Sequence, residues 1–221
     1  MKNKIIFYVK ADRGIKYGFG HIYRCNHIYE KLKKSYKCHF FVNKNKYLVD
    51  YLNKRRLHYS FITKKNSNFV SSIDSNTVLI VDIFKKVDKN FLNIINSKPL
   101  KKIIFFDNLQ KLKSNIIRIN PICFTHPKLI YNNDNYYSGL KYFIFPKFFK
   151  KKRNSNKNNK TIFFSSGGSD KKNITSKFLE KFFSISSEYK FNVLVGPGFS
   201  NQQIKKLIKI NKKIKIFKDV K

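Results

Sequence analysis

Short apolar runs alternate with amphipathic segments along the first two thirds of the chain. The apolar runs predict buried strands at Ile5–Val9, Cys38–Val42, Thr77–Val81 and Lys102–Phe106, and Asn115–Ile119 is a further candidate. Apolar positions with helical spacing lie between these runs, after His21 and over Tyr47–Arg56 and Asp88–Asn96. Strands that alternate with helices indicate a parallel sheet with crossover helices. The pattern therefore predicts an α/β fold with a Rossmann-like domain.

A second set of strands and helices follows a polar, basic stretch. Strands are predicted at Thr161–Ser166, Phe191–Val195 and Ile214–Phe217, with helices over Asn173–Ser187 and Gln202–Ile210. One face of the first of these helices is expected to carry Ile174, Phe178, Phe182 and Ile185. We predict an N-terminal domain over residues 1–146, a basic linker over 147–160 and a partial Rossmann-like domain over 161–221.

The junction after the first strand is the first candidate for a functional site. The segment Lys10–Cys25 connects that strand to a helix, and open α/β sheets bind ligands at such junctions. Gly18 and Gly20 allow a tight turn and a close approach by a ligand. His21 falls in the first turn of the helix, where an imidazole can take a proton from water near neutral pH. The alternative is a histidine that only caps its own helix.

A second glycine-containing turn lies at the start of the second domain. Gly167, Gly168 and Ser169 place backbone N–H groups between a strand and a helix, where phosphates bind in other α/β proteins. Asp170 is better explained as a helix N-cap than as a phosphate ligand. The earlier Gly18-x-Gly20 turn is not a dinucleotide fingerprint, because Tyr23 stands at the third glycine position and no acidic residue ends the second strand, so NAD is not expected.

The charge and the cysteine content of the chain bear on whether it binds nucleic acid, contains disulfides or binds zinc. The formal net charge is +36, which is typical of proteins that bind nucleic acid, yet no recognition motif accompanies the lysines and the composition favours residues with A/T-rich codons. The three cysteines are unevenly spaced and form no CxxC pair, which excludes a disulfide framework and a zinc site. We expect a cytoplasmic monomer with no membrane span, no metal, no cofactor and no specific nucleic-acid partner.

Four motifs follow one another along the chain: Asp12 with Gly18-x-Gly20-His21-x-x-Arg24-Cys25, then Gly139–Phe148, Ser165–Asp170 and Val193–Pro197. Together they resemble the nucleotide-sugar hydrolases of the pseudaminic acid pathway, which are related to glycosyltransferases with the GT-B fold. The resemblance implies a GT-B-like chain of two Rossmann-like domains whose second domain is incomplete at Lys221. It also implies a metal-independent, inverting hydrolase that releases UDP from a 2,4-diacetamido-2,4,6-trideoxy hexose.

The same resemblance assigns roles to individual residues. His21 would be the catalytic base, and the first domain would hold the sugar while the second holds UDP. Asp12 would orient His21 or bind sugar hydroxyls, although it is equally well explained as a turn residue. Arg24 would contact the diphosphate or hold a domain interface, and Asp82 would contact the substrate from the end of its strand. Gly18 and Gly20 complete the sugar site, and Gly167, Gly168 and Ser169 form the nucleotide site.

Two departures from the family pattern weaken particular contacts. Lys10 stands where the family has arginine, so a bidentate contact at that position would be lost, and Phe84 replaces a nearby tyrosine. Three other functions stay open: a glycosyltransferase that uses an acceptor hydroxyl in place of water, an inactive remnant, and a charge-driven binder of nucleic acid or anionic surfaces.

Overall fold

The computed structural model describes residues 3–12, 17–63, 65–83, 87–107, 116–121, 135–145 and 160–218. The chain divides into two compact units. The first comprises Met1–Asp12 with Gly20–Phe149, and the second comprises Arg13–Phe19 with Lys150–Lys221. Four predicted features lie outside the described residues. They are the linker over 147–160 apart from Lys160, the strand start at Asn115, Phe84, and the end of the second motif at Pro146–Phe148.

The first unit is built on a seven-stranded parallel sheet in the order β3-β2-β1-β4-β5-β6-β7. Its strands are β1 (Lys4–Val9), β2 (Lys37–Val42), β3 (Tyr59–Phe61), β4 (Thr77–Asp82), β5 (Lys102–Phe106), β6 (Ile116–Asn120) and β7 (Tyr136–Ser138). Its helices are α1 (Gly20–Leu32), α2 (Lys46–Lys54), α3 (Ser67–Ser71) and α4 (Lys89–Ser97), and a 3₁₀ turn spans Leu140–Tyr142.

The strand order reverses between β1 and β4. From β1 the chain first adds β2 and β3 on one side, and then returns to add β4 and the later strands on the other. This arrangement is that of a doubly wound sheet, in which ligands bind at the carboxyl ends of the strands beside the reversal. The ends of β1 and β4 lie side by side there, because Val9 is paired with Asp82.

A core of aromatic and branched side chains holds the helices of this unit on the sheet. Tyr8 of β1 contacts the rings of Phe69 and Phe91, with centroids 5.1 and 4.4 Å apart, and all three side chains are almost fully buried. Rings at these separations add about 0.5–1.5 kcal/mol per pair beyond the burial of their apolar area. This packing fixes β1, and with it the sheet edge that β1 shares with β4.

The second unit is a smaller parallel sheet in the order β10-β9-β8. It consists of β8 (Thr161–Ser165), α5 (Ile174–Phe183), β9 (Lys190–Val195), α6 (Asn201–Ile210) and β10 (Ile214–Lys218). Leu179, Phe191, Val193 and Leu207 form the centre of its core. Ser200 caps α6 with a capping box, in which its hydroxyl accepts from the backbone of Gln203 while the Gln203 side chain accepts from the backbone of Ser200.

The predicted α/β class is confirmed, and each unit contains a parallel sheet with Rossmann-like β–α–β connections. The apolar face predicted for α5 is confirmed at its middle, because Phe182 packs against the core and Phe178 stacks on Phe164 with ring centroids 4.6 Å apart, but it is wrong at its two ends. The helix ends at Phe183, so Ile185 lies beyond it and is 76% exposed, and Ile174 is 54% exposed, while Leu179 is the residue that enters the core. The strands β3 and β7 and the short helix α3 were not predicted. No helix in the described ranges is long and apolar enough to cross a membrane.

Candidate active site

The last residue of β4, Asp82, is the centre of a polar cluster in the first unit. Its side chain has no exposed surface, although it lies at the carboxyl end of the sheet beside the strand reversal. A buried carboxylate is costly unless it is paired and hydrogen bonded. The local sequence places Asp82 directly after an apolar run, so the strand carries the carboxylate to the sheet edge and ends there.

Three side chains from one face of α1 contact this carboxylate. His21 Nδ1 lies 2.6 Å from Asp82 Oδ1, and Arg24 donates from Nε to Oδ2 and from Nη2 to Oδ1, both at 2.7 Å. The Cys25 thiol donates to Oδ2 over 3.7 Å. Residues three and four positions apart share a helix face, so the spacing of His21, Arg24 and Cys25 brings all three to one point. This geometry gives a physical reason for the H-x-x-R-C spacing.

The guanidinium of Arg24 also bonds a second carboxylate. Its Nη1 lies 2.6 Å from Asp107 Oδ2, and its central carbon lies 4.7 Å from the centroid of the Phe106 ring. Phe106 and Asp107 stand at the end of β5, whose register places Phe106 beside Asp82. The arginine is therefore held by two neighbouring strand ends and an aromatic face, a setting that suits a planar, forked cation.

The charges within this cluster shift three pKa values. Burial by itself raises the pKa of Asp82, but hydrogen bonds from Arg24 and His21 and the arginine charge outweigh it, so the net direction is downward. Burial lowers the pKa of Arg24, and its bonds to Asp82 and Asp107 raise it beyond its ordinary value. Burial, with the negative charge of Asp82, raises the pKa of the Cys25 thiol. Asp82 is thus held ionised and Cys25 is held as an unreactive thiol.

The contact with Asp82 favours one tautomer of His21. An ionised carboxylate only accepts hydrogen bonds, so Nδ1 must carry the proton that it donates to Oδ1. The lone pair then resides on Nε2, the atom at the far side of the ring. The His21 side chain is 11% exposed, whereas Asp82 is fully buried. An imidazole oriented by a buried carboxylate is the arrangement of a general base.

The loop that leads from β1 to α1 is fixed by a residue that the sequence analysis did not select. Asn43, which follows β2, accepts from the backbone N–H of Ala11 at 2.8 Å and donates to its carbonyl at 3.1 Å. The neighbouring Asp12 is 7% exposed. Gly20 begins α1, and Gly18 has a φ of 76°, a left-handed conformation that glycine adopts without strain. Gly18 groups with the second unit, and Asp12, Gly20 and His21 with the first.

In the second unit, the turn predicted to bind a nucleotide is packed against the end of β9. A Cβ added at Gly196 would lie 2.5 Å from Gly168 Cα and 2.6 Å from the carbonyl oxygens of Gly167 and Gly168. The N–H of Gly198 donates to the Gly168 carbonyl at 2.7 Å. A Cβ added at Gly168 would meet no atom within 4 Å. The turn therefore packs against Gly196 on one side and is open where a Gly168 side chain would lie.

Asp170 was predicted as the helix N-cap, but Asn173 occupies that position, and Asp170 lies before it and makes the capping hydrogen bonds with its side chain. Its two carboxylate oxygens accept from the backbone N–H groups of Ile174 and Thr175, both at 2.7 Å. Because these donors bond the carboxylate, a phosphate would have to displace it in order to use them. Any nucleotide site here must therefore rely on the turn that contains Gly167, Gly168 and Ser169.

The structure brings together only part of the predicted site. His21, Arg24 and Asp82 meet in one cluster, but the burial of Asp82 does not fit the predicted direct contact with substrate. Direct roles for Asp12, Gly18, Gly20, Gly167, Gly168 and Ser169 stay predictions. Cys25, Asn43 and Asp107 were not selected from the sequence. Two of these residues carry a signal in the sequence. Cys25 is four positions after His21 on the same helix, and Asp107 follows directly after a strand.

The fold and the cluster define an α/β protein with a histidine–aspartate pair at the strand reversal of a doubly wound sheet. No model of a known protein family matches the chain, and no curated protein matches it. Among solved structures, the chain is similar to a glycosyltransferase from Rickettsia africae ESF-5, with 14% sequence identity and a TM-score of 0.47. That match covers 99% of this chain and 69% of the other. A similarity at this level assigns neither a family nor an activity.

Proposed function

We propose that the protein hydrolyses a UDP-linked sugar with His21 as the general base. The observation that carries this proposal is the 2.6 Å contact between His21 Nδ1 and the buried Asp82 carboxylate at the strand reversal. The resemblance of the flanking motifs to the pseudaminic acid pathway hydrolases suggests the substrate, a UDP-linked 2,4-diacetamido-2,4,6-trideoxy hexose.

In the proposed reaction, Nε2 of His21 accepts a proton from a water molecule while the water oxygen attacks the anomeric carbon. The bond between that carbon and the β-phosphate oxygen breaks, and its electron pair leaves with UDP. Attack opposite the leaving group inverts the anomeric configuration. Asp82 keeps the imidazole in the tautomer that can accept the proton, and its charge stabilises the imidazolium that forms.

The other predicted residues take supporting roles in this proposal. Asp12, Gly18 and Gly20 lie between β1 and His21, and in this proposal they contact the sugar. Gly167, Gly168 and Ser169 offer backbone N–H groups to the diphosphate from the turn after β8. Asp82 acts through His21 and does not touch the sugar.

The test compares two histidines on the same helix. His21→Phe should slow the release of UDP at least about 100-fold, the usual contribution of a general base. His27→Phe makes the same chemical change at a half-buried position of α1 and should leave the rate unchanged. Both rates are followed by chromatographic detection of UDP. Equal rates for the wild-type protein and His21→Phe would refute the assignment of His21.

Product analysis in the same assay separates hydrolysis from transfer. The proposed hydrolase forms the free sugar at a rate that does not depend on added acceptor alcohols or saccharides. UDP release that requires an acceptor, with the sugar recovered as a glycoside, would instead show a glycosyltransferase.

A further inference from the structure

The guanidinium of Arg24 binds two carboxylates of the first unit, those of Asp82 and Asp107. Nε and Nη2 form a fork on Asp82 at 2.7 Å, and Nη1 bonds Asp107 at 2.6 Å, while the side chain is only 16% exposed. The paired geometry matches the planar shape of a guanidinium and is among the strongest hydrogen-bonded contacts in proteins. A substrate phosphate at this arginine would have to compete with both carboxylates and would be repelled by them.

Asp107, which binds Arg24 Nη1, has an unusual backbone conformation. Asp107 has a φ of 48°, a left-handed conformation that costs free energy for a residue with a side chain, although aspartate tolerates it better than most. Its N–H donates to the carbonyl of Ile119 at 3.0 Å, which holds the turn against β6. Among the described residues its buried Oδ1 has no hydrogen-bond partner. Strained residues of this kind persist where the surrounding structure holds them.

We propose that Arg24, braced by Asp107, is a positioning residue that holds Asp82 for His21, and that it is not a ligand of the substrate diphosphate. Asp82 makes two of its strong contacts with Arg24 and one with His21. With the guanidinium present, the charge of the buried carboxylate is compensated, and Asp82 is held in the orientation in which it accepts from His21 Nδ1. The catalytic consequence rests on the proposed function, because it matters only if His21 is the base.

The spectroscopic test uses the ¹⁵N signals of the His21 imidazole, assigned by their loss in His21→Phe. In the wild-type protein we expect one set of signals, with a proton on Nδ1 that is hydrogen bonded to Asp82. Arg24→Met removes two of the hydrogen bonds that fix the Asp82 carboxylate, so the Nδ1 signal should shift or divide into more than one set. Arg24→Lys returns a charged donor and should restore most of the wild-type pattern. Arg56→Met, at an exposed arginine, is the control and should change nothing.

Asp107→Ala provides a second variant in case Arg24→Met does not fold. Loss of the brace should give a second set of His21 signals, because the guanidinium would leave Asp82 in part of the molecules. Unchanged His21 signals in folded Arg24→Met or in folded Asp107→Ala would overturn the proposal. These spectra require no turnover, so they decide on the role of Arg24 even if the protein proves not to hydrolyse UDP-sugars.

Calorimetric titration with UDP separates the two roles of the arginine. A positioning residue predicts that Arg24→Lys and Arg24→Met bind UDP within about twofold of wild-type affinity, because no phosphate contact is removed. A loss of at least about tenfold, equivalent to 1.4 kcal/mol, together with unchanged His21 signals would identify Arg24 as a phosphate ligand and overturn the proposal.

Discussion

Replacement of Asp82 by asparagine tests the cluster most severely, since it removes one charge and keeps the shape of the side chain. Asp82 is fully buried and accepts strong hydrogen bonds from His21 and Arg24, with a weaker one from Cys25. The new amide has one acceptor oxygen in place of two, and its NH₂ group would face donors. Removing one member of a buried charged pair costs about 3–5 kcal/mol.

We expect Asp82→Asn to lower the free energy of unfolding by about 3 kcal/mol, toward the lower end of that range, since Arg24 keeps Asp107 as a partner. Urea unfolding at pH 7 measures the difference. Asp50→Asn makes the same substitution on the exposed surface of α2 and should change stability by less than about 0.5 kcal/mol. A variant as stable as the wild-type protein would contradict the account of the cluster.

The loss of stability should also depend on pH. Because the native pKa of Asp82 lies below its ordinary value of 3.8, the ionised carboxylate contributes its full stability above the unfolded-state value. That contribution is lost as the pH falls through the lowered native pKa. The difference between the wild-type protein and Asp82→Asn should therefore be constant from pH 7 to pH 5 and smaller at pH 3. An equal difference at pH 7 and pH 3 would refute the inference that Asp82 is held ionised.

The remaining predictions concern the loops and the second unit. Gly196→Ala should destabilise the second unit by about 1–3 kcal/mol, because the added Cβ would clash with the backbone of Gly167 and Gly168. Gly168→Ala is the control, since its Cβ would meet no atom within 4 Å and should cost little stability. Thermal unfolding compares the two variants, and equal losses of stability would contradict the described packing. Asp170→Ala should reduce stability in urea by about 1–2 kcal/mol, because two N–H groups of α5 lose their acceptor, and an unchanged midpoint would exclude the cap. Asn43→Ala should accelerate hydrogen exchange at the Ala11 amide, because the amide N–H loses its acceptor. Unchanged protection there would show that the two hydrogen bonds between Asn43 and Ala11 do not hold the loop.

Much of the fold followed from hydrophobic pattern, and the errors have identifiable causes. The main strands β1, β2, β4 and β5 are apolar runs that stand out from their flanks. By contrast, β3 and β7 are three residues long and contain polar or exposed positions, too short for a period to show. The face of α5 was assigned over a helix drawn too long, so Ile185 was placed in a turn that the helix does not reach.

The candidate site could be predicted from the sequence only where its residues share an element. His21 and Arg24 lie on one helix, and their spacing alone puts them on one face. Asp82 was recognised as a strand end, but the sequence does not reveal the strand register, so it could not show which strand end faces α1. The full burial of Asp82, which does not fit the predicted direct contact with substrate, is a tertiary property. Asn43 bonds only backbone atoms of Ala11, and such a contact leaves no side-chain pattern.

The most direct test of the central claim is the fate of solvent oxygen during turnover. The UDP-linked 2,4-diacetamido-2,4,6-trideoxy hexose is incubated with the protein in H₂¹⁸O for a time short enough to limit anomeric exchange, and both products are analysed by mass spectrometry. The account predicts that the free sugar carries one ¹⁸O and that UDP carries none, with the labelled product lost in His21→Phe. Label in the UDP phosphate, or no turnover by the wild-type protein, would contradict it.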